Sequence, residues 1–297
     1  TIIYELHVRG FTKDASSKVK APGTFAGLIE KIPYLLELGI TTIELMPVFE
    51  FDEMRDCRLL DENELLDYWG YNPVSFFAPN TSYASTSEYN REGNELKCLI
   101  RECHAHGLEV IFDVVFNHTA EGDERGPYIS LKGFDNQIYY MLTPDGHYYN
   151  FSGCGNTLNC NHPVVQSMIL NCLRYWVTEY RVDGFRFDLA SILGRNEDGS
   201  PMSRPPLLES LAFDPILGNV KLIAEAWDAG GSIRSDLSRP GTAGRVERKI
   251  PDDLRRFLKG DSYLLRAAAR RITGSPDLYP PQGRGSNASV NFLTCHD

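Results

Sequence analysis

Short apolar segments rich in strand-forming residues alternate with amphipathic helical segments along this chain, and that alternation constrains its fold more than any other feature. Alternating strands and helices predict a parallel sheet closed by helices, and one parallel α/β barrel needs roughly 250 residues. The chain has 297 residues, so we predict one (β/α)8 barrel over residues 1–297. The predicted strands cover residues 2–8, 41–46, 109–116, 182–188, 220–224 and 289–294.

Helical patterns fill the gaps between these strands. The first predicted helix begins after Thr24, a suitable N-cap, and is kinked or split at Pro33 because proline lacks a backbone N–H. Further helices are predicted at 87–106, from 163 into the strand at 182–188, near 207–213, at 251–259 and at 262–272. Residues 48–85 are predicted to form one long loop.

Polar and charged residues stand where the predicted strands end. In a parallel barrel the carboxyl ends of all strands lie on one face, where active sites are built. We therefore expect these side chains to converge, and three carboxylates arriving from three strands are hard to explain as structural pairing. The residues concerned are Asn117, His118, Asp188, Glu225, His296 and Asp297.

Arg186 and Asp188 are two residues apart in the predicted strand at 182–188, so they point to the same face. An arginine and an aspartate in this arrangement, taken alone, are typical of a structural ion pair. The convergence of further acids favours a different interpretation, in which Asp188 is a nucleophile that Arg186 keeps ionised. Asp113 is one more acid inside an otherwise apolar strand.

Several classes of function are disfavoured by composition and motifs. A net charge of −10 argues against nucleic-acid binding, which needs clustered lysine and arginine. The seven cysteines include no C-x-x-C pair, so neither a zinc knuckle nor a disulfide framework is indicated, and a reducing compartment is expected. No apolar run approaches the ~18 residues of a membrane span, and no targeting segment is expected within this chain. Neither a G-x-S-x-G elbow nor a glycine-rich phosphate loop is present.

Glycoside hydrolysis fits the predicted cluster, because it needs one protonated and one ionised carboxyl group. Ala226 and Trp227 give Glu225 an apolar setting that suits a protonated acid. Trp69 and Tyr71 are candidate sugar platforms, although they could equally pack the loop down. A metal hydrolase remains a weaker alternative, since no two histidines have ligand spacing. We expect no cofactor; a calcium ion at Asp123 and Glu124 stays open beside the alternative of a solvated loop.

Four segments resemble, in order and spacing, the four conserved regions of the α-amylase superfamily of glycoside hydrolases. Three further segments are similar to isoamylase-type starch debranching enzymes of plants and green algae. The resemblance covers nearly the whole chain. The four regions are 113–118 (DVVFNH), 184–188 (GFRFD), 224–228 (AEAWD) and 290–297 (VNFLTCHD), and the further segments are 4–11 (YELHVRGF), 153–163 (GCGNTLNCNHP) and 221–231 (KLIAEAWDAGG).

This resemblance implies a retaining mechanism that cleaves α-1,6 branch linkages in amylopectin, glycogen or branched maltodextrin. It implies Asp188 as nucleophile, Glu225 as general acid and then base, and Asp297 as the group that stabilises the transition state. It also implies that His118 and His296 bind sugar hydroxyls, that Arg186 positions Asp188, that Tyr71 stacks under the cleaved sugar, and that Asp113 and Asn117 support the network. A plastid location and assembly with other isoamylase-type subunits are further implications. The alternatives are an α-1,4-glucan hydrolase or transferase, or a non-catalytic glucan-binding subunit.

Three regions set the expected domain organisation. Residues 117–163 are too long for an ordinary connection and are predicted to form an excursion over the active face, after the third strand. Residues 232–249 depart from the family pattern, because their lack of aromatic residues and low strand propensity argue against a regular sixth strand. The family's eighth strand has no counterpart before Asp297. We expect the chain expressed alone to be poorly soluble or inactive, since such a barrel has unpaired edges.

Overall fold

The computed structural model describes residues 1–54, 58–60, 63–225, 244–246, 249–279 and 288–296. The strands in these ranges are β1 Ile3–Leu6, β2 Thr42–Leu45, β3 Phe49–Phe51, β4 Arg58–Leu60, β5 Asn63–Leu65, β6 Pro73–Pro79, β7 Glu109–Val114, β8 Gly184–Phe187, β9 Lys221–Glu225 and β10 Gly244–Val246. The helices are α1 Val8–Thr12, α2 Phe25–Ile29, α3 Ile32–Glu37, α4 Arg91–Ala105, α5 Asn136–Tyr139, α6 Pro163–Tyr180, α7 Pro206–Phe213, α8 Lys249–Lys259 and α9 Leu265–Ile272.

Six strands form one sheet in the order β1-β2-β7-β8-β9-β10, and every neighbouring pair is parallel. Helices lie between successive strands of this sheet from β1 to β9, so the fold is that of a (β/α)8 barrel, to which the described residues contribute these six strands. Val110, Ile111 and Phe112 in β7 are fully buried, as a strand covered on both faces requires. The predicted parallel barrel is confirmed.

Helix α6 fixes the position of the strand that carries Arg186. It begins at Pro163, as predicted, and ends where Arg181 adopts a left-handed conformation with φ 64°. Trp176 is fully buried and stacks on Phe49, with 5.1 Å between the ring centroids. Such an aromatic pair contributes about 0.5–1.5 kcal/mol beyond the burial of its area. Because β8 starts only a few residues after α6, this packing also sets the register of β8.

The first helical region is divided at Pro33, as predicted. Helix α2 ends at Ile29, and α3 begins at Ile32 with the proline in its first turn, where a missing N–H costs no hydrogen bond. The side chain of Thr24 accepts a hydrogen bond from the backbone N–H of Gly27 at 3.1 Å, which confirms its role as N-cap. The predicted helix at 87–106 starts later than expected, at Arg91.

The prediction of one long loop at 48–85 is wrong. This region contains two antiparallel pairs, β3 with β6 and β4 with β5. Phe49, Phe51 and Phe76 are buried in the core, so the β3–β6 pair is held by apolar side chains that anchor it to the barrel wall. Tyr68 and Trp69, two exposed rings of the same region, lie in the segment between β5 and β6.

Two expectations about the later strands are also wrong. Residues Gly244–Val246 form the short strand β10, which pairs in parallel with β9, within the region whose composition argued against a sixth strand. Residues 289–294 form no ladder and contain only a single bridge residue, Ser289. The backbone there is bound by side chains instead, since Arg255 Nε donates to Leu293 O. Local strand propensity thus failed in both places: residues 244–246 pair with β9 despite a low propensity, and residues 289–294 form no ladder despite a high one.

The described cysteines form no disulfide with one another, and no helix in the described ranges has the length and apolar character needed to cross a membrane. These cysteines are Cys98, Cys103, Cys154, Cys160, Cys172 and Cys295.

The excursion after β7 is organised around the buried carboxylate of Glu121. This side chain is fully buried and accepts hydrogen bonds from four successive backbone N–H groups, while Tyr140 donates its hydroxyl to the same carboxylate. The backbone donors are Ile129 (2.8 Å), Ser130 (2.7 Å), Leu131 (3.0 Å) and Lys132 (2.9 Å). Together these bonds outweigh burial and lower the pKa of Glu121. The far end of the excursion returns to the barrel where Leu158 N donates to Asn117 O at 3.0 Å.

Replacing Glu121 with glutamine is expected to lower the free energy of unfolding by about 2–4 kcal/mol, because the amide NH₂ would face backbone N–H donors and leave them unsatisfied. Chemical denaturation measures this loss, and limited proteolysis should locate it in residues 119–160. Glu179→Gln is the control, since Glu179 is exposed and meets Lys97 only at 3.6 Å. Equal stability of the two variants would contradict the anchoring role of Glu121.

Candidate active site

The guanidinium of Arg186 is the centre of a buried charged cluster at the carboxyl ends of three neighbouring strands. Its Nη1 donates to Asp113 Oδ1 at 3.1 Å and to Asp188 Oδ1 at 3.3 Å, and its Nη2 donates to Glu225 Oε1 at 2.8 Å. Arg186 lies directly opposite Asp113 in the ladder between β7 and β8. Arginine suits this position because its planar fork can serve several carboxylates at once. Two of the three acids predicted to converge, Asp188 and Glu225, therefore meet on one cation together with Asp113, which was expected to support the network.

Asp188 accepts a hydrogen bond on each carboxylate oxygen. Arg186 binds Oδ1, and Asn117 Nδ2 donates to Oδ2 at 2.8 Å and to the Asp188 carbonyl oxygen at 3.0 Å. Both side-chain bonds are ones that an ionised carboxylate accepts. The side chain of Asp188 is 14% exposed, whereas that of Asp113 is fully buried. Of the two, Asp188 is the one that an incoming substrate can reach.

Glu225 is bound on both oxygens, which differs from the apolar setting expected from the sequence. Oε1 meets Arg186, and Oε2 accepts the backbone N–H of Leu189 at 2.9 Å. Burial raises the pKa of Glu225, and the neighbouring charges of Asp188 and Asp113 raise it further, against the opposing effects of Arg186 and Leu189. The raised pKa thus comes from burial and like charges.

Leu189 aims its N–H at Glu225 from a left-handed backbone conformation, with φ 43°. Residues other than glycine rarely adopt this region, and holding one there costs of order 1–3 kcal/mol. The next residue, Ala190, donates its N–H to the Glu225 carbonyl oxygen at 2.8 Å. Two successive backbone N–H groups of the turn after β8 therefore bind Glu225, one at its carboxylate and one at its carbonyl oxygen.

Tyr71 connects the acid cluster to the end of the described chain. Its hydroxyl donates to Asp113 Oδ2 at 2.5 Å, and its ring stacks on His296 with 5.0 Å between centroids. His296 in turn binds Glu5 on β1 through Nδ1 at 2.7 Å and through its backbone N–H at 3.0 Å. Although burial opposes it, the contact with Glu5 raises the pKa of His296. Tyr71 and His296 thus belong to the cluster, as expected.

His118 lies beneath the cluster and is 2% exposed. Nδ1 lies 2.6 Å from Asn117 Oδ1, and Nε2 lies 2.9 Å from the Tyr71 carbonyl oxygen. Both ring nitrogens therefore meet protein oxygens in this structure. The implied contact between His118 and a sugar hydroxyl stays a prediction.

Trp69 provides an open aromatic surface at the entrance to the cluster. It is 44% exposed and lies edge-on to Tyr71 and to His296, at 6.3 Å and 5.0 Å between centroids. Gly70, which separates the two rings, has φ 84°, and a side chain there would meet the Phe51 ring at 3.0 Å. This glycine is therefore required for the turn that brings Trp69 and Tyr71 together against His296.

Sequence reasoning missed His7 as a support for this aromatic segment. The ring of His7 stacks on Tyr68 at 4.1 Å, and Nε2 donates to the Tyr68 carbonyl oxygen at 2.5 Å, while Nδ1 accepts the N–H of Gly10 at 3.0 Å. These partners fix the Nε2–H tautomer. Burial lowers the pKa of His7 to about 4, so the ring is neutral at physiological pH. The available signal was that His7 is a polar residue alternating with apolar ones in the predicted strand at 2–8; in the structure it caps α1, directly after β1.

One group of three acids among the described residues has the geometry of a cation site: Glu5, Glu44 and Asp113, whose nearest carboxylate oxygens lie within 4.8 Å of one another. Asp123 and Glu124, considered above for calcium, are instead engaged on the surface. Asp123 pairs with Arg125 at 2.6 Å, and Glu124 with His147 at 2.9 Å. Asp297, Ala226 and Trp227 lie outside the described residues.

Comparison with known proteins identifies relatives of the whole chain. The α-amylase catalytic domain matches residues 7–147. The chain is 49% identical over 320 residues to "Isoamylase SU1, chloroplastic" of Zea mays and 48% identical over 321 residues to "Isoamylase 1, chloroplastic" of Arabidopsis thaliana. It is 42% identical over 301 residues to a "Glycogen debranching enzyme" of an Enterobacter species. Each comparison covers 100% of the chain, which spans only 40%, 41% and 45% of those relatives.

Solved structures show the same architecture. The pullulanase of Bacillus acidopullulyticus superimposes with a TM-score of 0.80 at 30% identity, covering 100% of the chain and 37% of that protein. A pullulanase of an Anoxybacillus species, solved with maltotetraose, gives a TM-score of 0.80 at 28% identity and covers 100% of the chain and 45% of that protein.

Proposed function

The chain belongs to the α-amylase family of glycoside hydrolases, and from that premise we propose that it hydrolyses the α-1,6 branch linkages of an α-glucan by a retaining mechanism. The observation that carries the proposal is that Asp188 and Glu225 share one guanidinium at the carboxyl ends of neighbouring strands. Retaining enzymes hold their two carboxyl groups ~5–5.5 Å apart. A shared Arg186 supports a spacing of that order.

In the first step, an Asp188 carboxylate oxygen attacks the anomeric carbon while Glu225 gives its proton to the departing glycosidic oxygen. The bond between the anomeric carbon and that oxygen breaks, and a covalent glycosyl ester with Asp188 forms. Asn117 and Arg186 orient the attacking carboxylate through bonds at 2.8 and 3.3 Å. The raised pKa of Glu225 supports its role as the proton donor at neutral pH.

In the second step, Glu225 removes a proton from a water molecule, which attacks the same carbon and releases Asp188. Glu225 thereby regains the proton it gave away. We assign Asp297 to stabilising the cation-like transition state, and Tyr71 and Trp69 to contacts with sugar rings. We assign no resident cofactor to these steps, because the covalent nucleophile, the acid and the base are side chains of the chain and the second nucleophile is water.

The substrate we propose is amylopectin, glycogen or branched maltodextrin, and the location we propose is the plastid. The relatives named isoamylase and glycogen debranching enzyme support the linkage, and the chloroplastic names of the isoamylases support the location. The net charge of −10 does not oppose a neutral polysaccharide, whereas it opposes a polyanion.

Amylopectin and linear amylose discriminate between the candidate reactions. Cleavage of α-1,6 linkages should release reducing ends and linear chains from amylopectin and none from amylose, whose linkages are all α-1,4. Equal release from both substrates would show α-1,4 hydrolysis. A change in chain lengths with no new reducing ends would show glucan transfer. Either result would overturn the proposed linkage.

A further inference from the structure

Glu5 and Glu44 are direct neighbours in the barrel wall. They are paired in the parallel ladder between β1 and β2, so their side chains lie on the same face. Asp113 on β7 completes the group, with carboxylate oxygens of all three residues within 4.8 Å of one another. Like charges on adjacent strands are destabilising, and burial increases the cost.

The three carboxyl groups differ in their partners. Glu5 binds His296, and Asp113 uses one oxygen for Arg186 and the other for Tyr71. Glu44 is 9% exposed and has no hydrogen-bond or ion-pair partner among the residues the structure describes. It is therefore the member of the group that no donor holds in the ionised form.

The surroundings are short of positive charge. Arg186 and His296 are the cations that face Glu44, and Glu5 and Asp113 are the acids that face it. Arg186 also serves Asp188 and Glu225, and His296 is engaged by Glu5. With Glu5 and Asp113 ionised, a third negative charge on this group would compete for the guanidinium that holds Asp188 and Glu225.

We propose that Glu44 carries a proton in the working enzyme and acts as a positioning residue, whose neutral carboxyl group leaves the charge of Arg186 to Asp188 and Glu225. The roles of Asp188 and Glu225 in this statement rest on the proposed function, whereas the protonation of Glu44 does not.

Burial and the nearby acids support this assignment. Burial raises the pKa of Glu44 to about 8, Asp113 and Glu5 raise it in addition, and Arg186 and His296 oppose the rise. Burial also raises the pKa of Asp113, to about 6, so Asp113 ionises first as the pH increases. At pH 7 the group therefore holds a neutral Glu44 beside an ionised Asp113.

Thermal unfolding of the protein and its Glu44→Gln variant between pH 4.5 and pH 8.5 tests the protonation without any substrate. The folded pKa lies above 4.5, the ordinary value, so the folded state binds the extra proton in this window and wild-type stability falls as the pH rises from about 5 to about 8. Glutamine keeps the shape and the neutral state. The Tm of the variant minus that of the wild type should therefore rise steadily across the window.

Glu121→Gln is the matched control. Glu121 is also buried, but its pKa is lowered by its donors, so its stabilising effect is present above the ordinary value and lost only below it. The Tm difference of this control should stay flat between pH 5 and pH 8. If the Tm difference of Glu44→Gln is flat as well, the proposal is overturned. Infrared spectroscopy at pH 6.5 gives a second test: a protonated-carboxyl band of equal intensity in the wild type and in Glu44→Gln would also overturn it.

Activity measurements test the positioning role. If ionised Glu44 draws Arg186 away, the alkaline limb of log kcat against pH should fall with a slope near two in the wild type, because Glu44 and Glu225 both lose protons. It should fall with a slope near one in Glu44→Gln. Equal slopes in the wild type and in Glu44→Gln would refute the positioning role of Glu44. The melting data would still test its protonation independently. A wild-type Tm that rises with added Ca²⁺ or Mg²⁺, and does not rise in Glu44→Gln, would assign the group to a cation instead.

Discussion

Replacing Asp188 by asparagine is expected to lower the release of reducing ends from amylopectin by on the order of 10⁴–10⁶-fold, the loss typical of removing a covalent nucleophile. The amide is nearly the same size as the carboxylate and can still accept one bond from Arg186 or Asn117. It carries no charge and cannot form the glycosyl ester. The fold should therefore persist while the first chemical step stops.

Asp183→Asn is the control for this loss. Asp183 precedes the same strand at its opposite end, where it accepts the N–H of Val110 at 2.7 Å and lies 2.8 Å from His104. Its replacement should change the rate less than about twofold, because it lies at the end of the strand remote from Asp188 and the asparagine Oδ1 can still accept the N–H of Val110. Circular dichroism and Tm should match for both variants. Equal reducing-end release from Asp188→Asn and wild type would favour a glucan-binding subunit over an enzyme.

The positions of the proposed reacting groups could be predicted because charged residues stand where the predicted strands end. Alternating strands and helices predict a parallel barrel, and Asp188 and Glu225 each stand at the carboxyl end of a strand. In the structure both carboxyl groups bind Arg186. The two-residue spacing of Arg186 and Asp188 had already placed these two side chains on the same face of the strand. This part of the site depends on local pattern alone.

The supporting contacts could not be predicted in the same way. The hydrogen bond from the Leu189 N–H to Glu225 requires a left-handed backbone at Leu189, which the surrounding sequence does not predict. The stacking of His7 on Tyr68 joins residues that are 61 positions apart. Glu44, like Asp113, is an acid inside an otherwise apolar strand. It was not predicted as a site residue, because no polar residue follows its strand. Contacts of this kind are set by tertiary packing.

Replacing Arg186 by methionine is expected to lower the free energy of unfolding by about 3–5 kcal/mol at pH 8, because a buried cation that serves three carboxylates is removed and the acids remain. The acids can bind protons at lower pH, which reduces their repulsion. The folded pKa values of Asp113 and Glu225 already lie above the ordinary values and would rise further without the guanidinium, so the loss should be smaller at pH 5 than at pH 8. Urea denaturation at both pH values measures the difference.

Arg186→Lys keeps the charge and separates its effect from that of the planar fork. An ammonium cannot reach Asp113, Asp188 and Glu225 in the geometry of the guanidinium, so this variant should recover part of the stability and little of the activity. If Arg186→Met does not fold, the lysine variant still tests the point through its kcat. Arg101→Met is the control, because Arg101 is 71% exposed and its ion pair is with the adjacent Glu102 at the surface. Full activity in Arg186→Lys would show that charge alone, without the three-way contact, is sufficient to organise the two reacting carboxyl groups.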